Sequence, residues 1–320
     1  MRHVWAAAGL AVAMGMGSAA AQPPESGTAM VAEVREADVA VSRVVEAPRP
    51  GLPPQPVAAP AQGLANSCAA ADVVSQPSRP EWSSGAQTTQ CGVMENDFGW
   101  LWQPLGGGVT QTVYPLSVRY GLTPRMDLRW GMPTRMQQSG GGTQALTGVT
   151  DQWLSVTYRY LEQGRRVPAQ ALSYSFKIPT ANPAKGFGSG YADHQLTWIA
   201  SRDVRRLHFD FNAVGTLAGA PRRVDGAAQY GLALSAPATK TLGLIVETDG
   251  GSEPGSADRF GQALLGASWT VRPWLVVDAA YTKAFTAGTP RQQLTMGFTY
   301  AHRPGLPGSG RPRMLRALGR

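Results

Sequence analysis

Beyond Met16 the chain has no apolar run near the roughly 20 residues that a membrane helix needs, and its mean hydropathy is −0.18. A helical membrane protein is thereby excluded. Histidine and cysteine are scarce, four and two in 320 residues, and they are scattered without the spacing of a metal site. The sequence thus calls for neither a metal nor a cofactor. Only 16% of residues are charged, and blocks of the Glu-Lys kind that carry surface helices are rare. The net charge of +8 sits in the final stretch (Arg303, Arg311, Arg313, Arg316, Arg320) and in turns such as Arg205-Arg206 and Arg222-Arg223. No basic cluster is interleaved with aromatics, so nucleic acid is not an expected partner. Basic turns suit a surface of anionic headgroups instead.

What the chain has in quantity is glycine (38) and aromatics (9 Trp, 9 Tyr, 8 Phe), the balance of an all-β protein with many turns. Residues 1–21 run from a basic start at Arg2 through an apolar core to Ser18-Ala19-Ala20-Ala21, the order of a cleavable secretory signal. Residues 22–66, with Pro48, Pro50, Pro53, Pro54, Pro56 and Pro60, cannot bury a core and read as a disordered periplasmic leader. A short segment, 67–92, is bounded by Cys68 and Cys91. In an oxidising compartment these two are a candidate disulfide with only one pairing open to them.

From residue 93 to 302 apolar and polar residues alternate over stretches of about ten. Tyr114, Leu116, Val118, Tyr120 and Leu122 share one parity and Ser117, Arg119 and Gly121 the other; Leu172, Tyr174, Phe176 and Ile178 likewise oppose Ser173, Ser175 and Lys177. Period two repeated this often makes a sheet with one apolar face. Short connections such as Arg202–Arg206 and Arg272-Pro273 alternate with long ones such as Pro133–Gly148, Thr180–Gly190 and Ala218–Gly226. Eleven strands are clear, and Val93–Trp102 makes an even twelfth. The expectation is a transmembrane antiparallel up-and-down β-barrel in the outer membrane of a Gram-negative bacterium, both termini periplasmic, followed by a basic tail at 303–320. Its expected partners are outer-membrane lipid and lipopolysaccharide, the barrel-assembly machinery and a small-molecule solute.

The polar parity carries charges at mid-strand. Arg119, Arg129, Arg159 and Lys177, with Asp127 as the one acid, fall on the early strands; Asp193, Asp210, Glu247 and Asp278 fall on the later ones. Closed into a barrel, a basic wall faces an acidic wall across the lumen. Such a field orients a dipolar solute; equally, the charges pair across a narrow lumen and fill it.

The order of motifs resembles a known family. Ser117-Val118-Arg119-Tyr120-Gly121-Leu122-Thr123 with Met126-Asp127-Leu128 is similar to a hairpin of the outer-membrane proteins named for the meta-pathway of phenol degradation. Phe176–Thr180, Gly186–Gly190 with Asp193, His208–Asn212, Tyr230–Ser235, Glu247, Val277-Asp278 and Gln293–Gly297 follow in order. The resemblance spans roughly residues 93 to 302. It implies a barrel transporter for small, aromatic or hydrophobic solutes and brings no catalytic residues with it. The Pro/Ala leader with its two cysteines and the tail after Tyr300 depart from the family pattern.

Two enzyme-like signals weigh little. His208 and Asp210 share a face, as an acid-base pair would, but no Ser-bearing nucleophile elbow accompanies them. Lys185–Gly190 is glycine-rich, yet no GKS or GKT follows and no helix opens after it. The expectation is therefore a passive channel and no enzyme. A barrel hydrolase using His208, and an adhesive barrel binding partners through its external loops, are the alternatives.

Overall fold

The computed structural model describes Cys68 and residues 72–256, 259–286 and 292–304. The expected signal and leader, and the tail beyond residue 304, lie outside the described residues. Fifteen strands are formed: β1 (Met94–Gly106), β2 (Val109–Tyr114), β3 (Leu116–Thr123), β4 (Met126–Gly131), β5 (Arg135–Gly140), β6 (Thr143–Val149), β7 (Gln152–Leu161), β8 (Ala169–Ile178), β9 (Asp193–Val204), β10 (Leu207–Ala220), β11 (Arg223–Pro237), β12 (Leu242–Ser252), β13 (Arg259–Arg272), β14 (Leu275–Ala284) and β15 (Gln292–His302). Among the described residues no helix is long and apolar enough to cross a membrane.

Twelve strands close the wall, in the order β15-β14-β13-β12-β11-β10-β9-β8-β7-β4-β3-β1, and β15 pairs back with β1 from Met94↔His302 to Trp102↔Leu294. Closure leaves no open edge in the wall, so each of its twelve strands has two hydrogen-bonded neighbours. The remaining three, β2, β5 and β6, branch from the far half of β1 as a hairpin extension at the end that carries the long loops. Two expected loops are thus corrected. The stretch 133–148 is largely the β5-β6 hairpin, and 218–226 is the continuation of β10 into β11 around Pro221-Arg222, where Arg222 takes a left-handed φ of 61°. Both stretches are glycine- and polar-rich, which suits a strand pair that has left the lipid band. The first strand is also longer than its alternation suggests, because its far half pairs outside the barrel.

The alternation sets the two faces. Leu128, Trp130, Leu154, Tyr158, Leu172, Leu196, Leu232, Val246, Leu265, Trp269, Met296 and Phe298 are exposed outward. So continuous an apolar exterior matches hydrocarbon and not water. Aromatics gather toward the short-turn end, where Trp198 donates to the Tyr160 hydroxyl at 2.9 Å and Trp274 packs edge-on to Tyr300. The buried set is polar instead: Glu95, Asp97, Thr197, Ser201, Asn212, Glu247, Thr282 and Thr299 all point inward. The chain is an all-β transmembrane barrel turned inside out relative to a soluble one.

Candidate functional site

The lumen is occupied by the chain itself. Residues 72–92, between Cys68 and β1, enter at the short-turn end, where the Ser75 amide donates to the Pro273 carbonyl at 2.7 Å. They reach their far point near Arg79–Ser84 and return past Ser201 to the β3-β4 turn, where the Thr88 hydroxyl donates to the Pro124 carbonyl at 3.1 Å. The two limbs are tied across by Gln90, whose side chain accepts from the Val74 amide at 3.0 Å and donates to the Asp72 carbonyl at 2.8 Å. A Cys68–Cys91 disulfide closes the loop at its base.

This segment has no strand of its own, so its amides must find partners on the wall. Glu247 takes two successive ones, from Trp82 at 2.9 Å and Ser83 at 2.7 Å. Asp127 accepts from the Thr89 amide at 2.7 Å and the Ser201 hydroxyl accepts from Ala86 at 2.7 Å. Asn212 bonds both the amide and the carbonyl of Ser84, at 2.9 and 2.8 Å. Glu95 accepts from the Gln76 amide. On the basic side Arg119 donates to the Gln76 carbonyl at 2.6 Å and Arg129 donates to the Ser78 hydroxyl. Arg79 of the segment reaches Asp278 at 3.5 Å and donates to the Thr295 hydroxyl at 2.8 Å. Inward glycines make the room. A Cβ on Gly231 would strike the Ser83 hydroxyl, and one on Gly121 the Gln90 carbonyl.

Above the far point of the segment a chamber of about 580 Å³ remains toward the long-loop end. Ser78, Arg79 and Glu81 form its floor, while Arg129, Lys177 and Trp153 stand on its wall. Arg129 is the most accessible of the inward cations, its side chain 31% exposed. Glu81 lies outside the strands. Burial, with Asp210, Glu247 and Asp278 nearby, pushes its carboxyl up to about 8.

No protein-family profile and no curated protein sequence matches the chain. Among solved structures it is similar to an outer membrane channel from Pseudomonas putida F1, with a TM-score of 0.54 and 12% identity over 71% of this chain and all (100%) of that one. The likeness is one of fold. The KdgM porin (TM-score 0.44, 10% identity, 64% of this chain and 98% of that one) and the NanC porin (0.43, 9%, 65% and 98%) are more distant.

The nine charged residues singled out from the sequence, and His208 with them, all lie on the inward parity, but their arrangement differs from two opposed walls. Arg119 is paired within its own side, to Glu95 at 2.7 Å and Asp97 at 3.4 Å, and Arg129 lies 3.7 Å from the same Asp97. Glu95 and Asp97 belong to β1, so the early strands are not a purely basic wall. Lys177 meets Asp193 of the adjoining strand at 2.5 Å and Asp151 at 3.7 Å; Arg159 meets Glu162 at 3.3 Å. Neighbours on adjacent strands satisfy one another sooner than partners across the lumen can, because cross-strand side chains stand only about 5 Å apart. Asp127, Glu247 and Asp278 serve the inserted segment instead. His208 has both ring nitrogens occupied, Nδ1 by Asp203 at 2.6 Å and Nε2 by Asp210 at 3.0 Å, and Asp210 also accepts from the Ser201 hydroxyl. In a Ser-His-Asp triad the imidazole sits between hydroxyl and carboxylate; here a carboxylate stands between them. The arrangement braces the short-turn end.

Sequence reasoning missed Glu95, Asp97 and the segment itself. One signal pointed to the last of these: two cysteines bracketing a stretch too polar to pack alone.

Proposed function

We propose that this protein is a passive channel for small solutes in the outer membrane of a Gram-negative bacterium, stoppered by its own residues 72–92. The observation that carries the reading is the way the lumen is filled. Its wall is polar and charged, and the filling is a looped segment held by hydrogen bonds, one ion pair and one disulfide, with apolar packing confined to a small cluster around Ala86 and with no strand of its own. Side chains that only had to seal the barrel would pack without a removable piece. The chamber of about 580 Å³ toward the long loops already has the size of a ligand site.

In this reading the short-turn end, with both ends of the wall, faces the periplasm and the long loops face outward. Lipid and lipopolysaccharide surround the apolar band, and the barrel-assembly machinery inserts it. Small aromatic or hydrophobic solutes are the class that the family resemblance implies; that part rests on analogy of fold and motif. The hydrolase alternative is disfavoured by the double carboxylate clamp on His208, which leaves the imidazole no free nitrogen for a substrate.

The test is solute efflux from liposomes carrying the full-length protein, with an aromatic amine, an aromatic acid and a sugar as probes. Flux of at least one above protein-free vesicles is expected. Flux of none, with the barrel folded and under conditions that free the segment, would remove the channel reading.

A further inference from the structure

The inserted segment hides an unequal distribution of charge. On the wall the cations are already neutralised by acids of the wall and of its turns: Arg119 and Arg129 by Glu95 and Asp97, Lys177 by Asp193 and Asp151, Arg159 by Glu162. Two of the carboxylates that hold the segment, Glu247 and Asp278, make no ion pair with a wall cation among the described residues. Glu247 makes no ion pair among the described residues and is satisfied by the amides of Trp82 and Ser83. Asp278 faces Arg79, a cation that belongs to the segment itself, whereas Asp127, which accepts the Thr89 amide, already stands in the field of Arg119 and Arg129. Amides satisfy a carboxylate's lone pairs without cancelling its charge.

From this we infer that the conducting pathway selects cations: with the segment displaced, Glu247 and Asp278 line the vacated lumen as uncompensated carboxylates. This rests on the channel reading and narrows its solute class to cationic and neutral molecules, inorganic cations and amines before aromatic acids. The segment masks the acids while inserted, so the closed and open lumens differ in charge as well as in width. A narrow, low-dielectric lumen focuses such a field. A lumen potential of about one kT separates a monovalent cation from a monovalent anion by about sevenfold in local concentration.

The segment can be evicted in the full-length chain at Ala86. It is fully buried against Ala169, Ala171 and Ile199, and an indole there cannot be accommodated without expelling the returning limb. The experiment is the reversal potential in planar bilayers under a potassium chloride gradient, for the wild type, Ala86→Trp, and Ala86→Trp combined with Glu247→Gln and Asp278→Asn. Heat-modifiable migration on a gel verifies that each barrel is folded; if Ala86→Trp does not fold, Cys68→Ser takes its place as a variant in which the segment stays mostly inserted but opens more often, read as a raised opening frequency of the pore. The expected result is a larger conductance in Ala86→Trp, with potassium favoured over chloride about sevenfold or more, falling toward parity when the two carboxylates are neutralised. A conducting pore that favours chloride, or whose preference ignores the two substitutions, overturns the inference and leaves the channel standing. Folded barrels that conduct in no variant overturn the channel reading, and this inference with it.

Discussion

Removing the Cys68–Cys91 disulfide should loosen the inserted segment without touching the barrel. Cys91 stands at the entry to β1 and Cys68 precedes the segment, 23 residues earlier. With the bond in place, a withdrawn segment is still a closed loop; without it, the withdrawn segment gains the freedom of a chain tethered at one end. On the chain-entropy account a loop of this length is worth about 3 kcal/mol, a factor of about 150 in the balance between inserted and withdrawn forms. The amide anchors remain, at about 1 kcal/mol each, so most molecules keep the segment in place after reduction and simply open more often. Hydrogen exchange reads this directly. In the reduced protein or in Cys68→Ser, the amides of Trp82, Ser83, Ala86 and Thr89 should exchange roughly 100-fold faster, whereas those of β10 and β11 should not change. Equal protection in the oxidised and reduced states would refute the reasoning, and would mean that the anchors alone determine insertion.

Further outcomes follow from individual anchors. Glu247→Ala leaves the Trp82 and Ser83 amides without an acceptor and should destabilise the inserted form by about 2–3 kcal/mol, seen as faster exchange at those two amides and raised conductance. Gly231→Ala places a methyl on the Ser83 hydroxyl and should loosen the far point of the segment, while Gly226→Ala on the same strand, where a Cβ meets nothing within 4 Å, should be silent in the same assay. Glu81 carries a carboxyl raised from 4.5 to about 8 by burial, with Asp210, Glu247 and Asp278 adding to it and Arg79 two residues away. The inserted form therefore binds the extra proton, so its stability is fully present at low pH and is lost as pH rises from about 4.5 toward 8. Conductance should rise between pH 5 and pH 9, by an amount that Glu81→Gln reduces; an undiminished response in that variant would assign the effect to other groups.

The wall was legible because a strand writes its environment into every second side chain. Leu172, Tyr174 and Phe176 against Ser173, Ser175 and Lys177 state both period and face, and closure at twelve follows from an even count with both ends together. The β5-β6 hairpin was not legible as strand, since Gln137, Gln138 and Ser139 are polar on both parities and carry no alternation. The inserted segment was still less so. Gln76, Trp82, Ser83, Ser84, Ala86 and Thr89 are all held by their backbone amides, and a backbone amide is the same whatever residue carries it. Its composition is consequently that of a linker. The wall side of those bonds was visible as Asp127 and Glu247, but a lone inward carboxylate on a strand does not say whether it awaits a solute, a cation or a piece of its own chain.

That ambiguity is a property of the molecule as well as of its sequence. Glu247 and Asp278 hold the segment when it is inserted and, on the cation-selective reading, line the pore when it is not. Segment and solute then contend for the same two carboxylates. A cation that enters the vacated lumen stabilises the open form by mass action, in proportion to the logarithm of its concentration above its dissociation constant. An anion finds no such site and gains nothing from opening. Permeation and opening are in this way two consequences of one set of charges, which is why a substitution such as Glu247→Gln is expected to make the barrel easier to open and less selective at once.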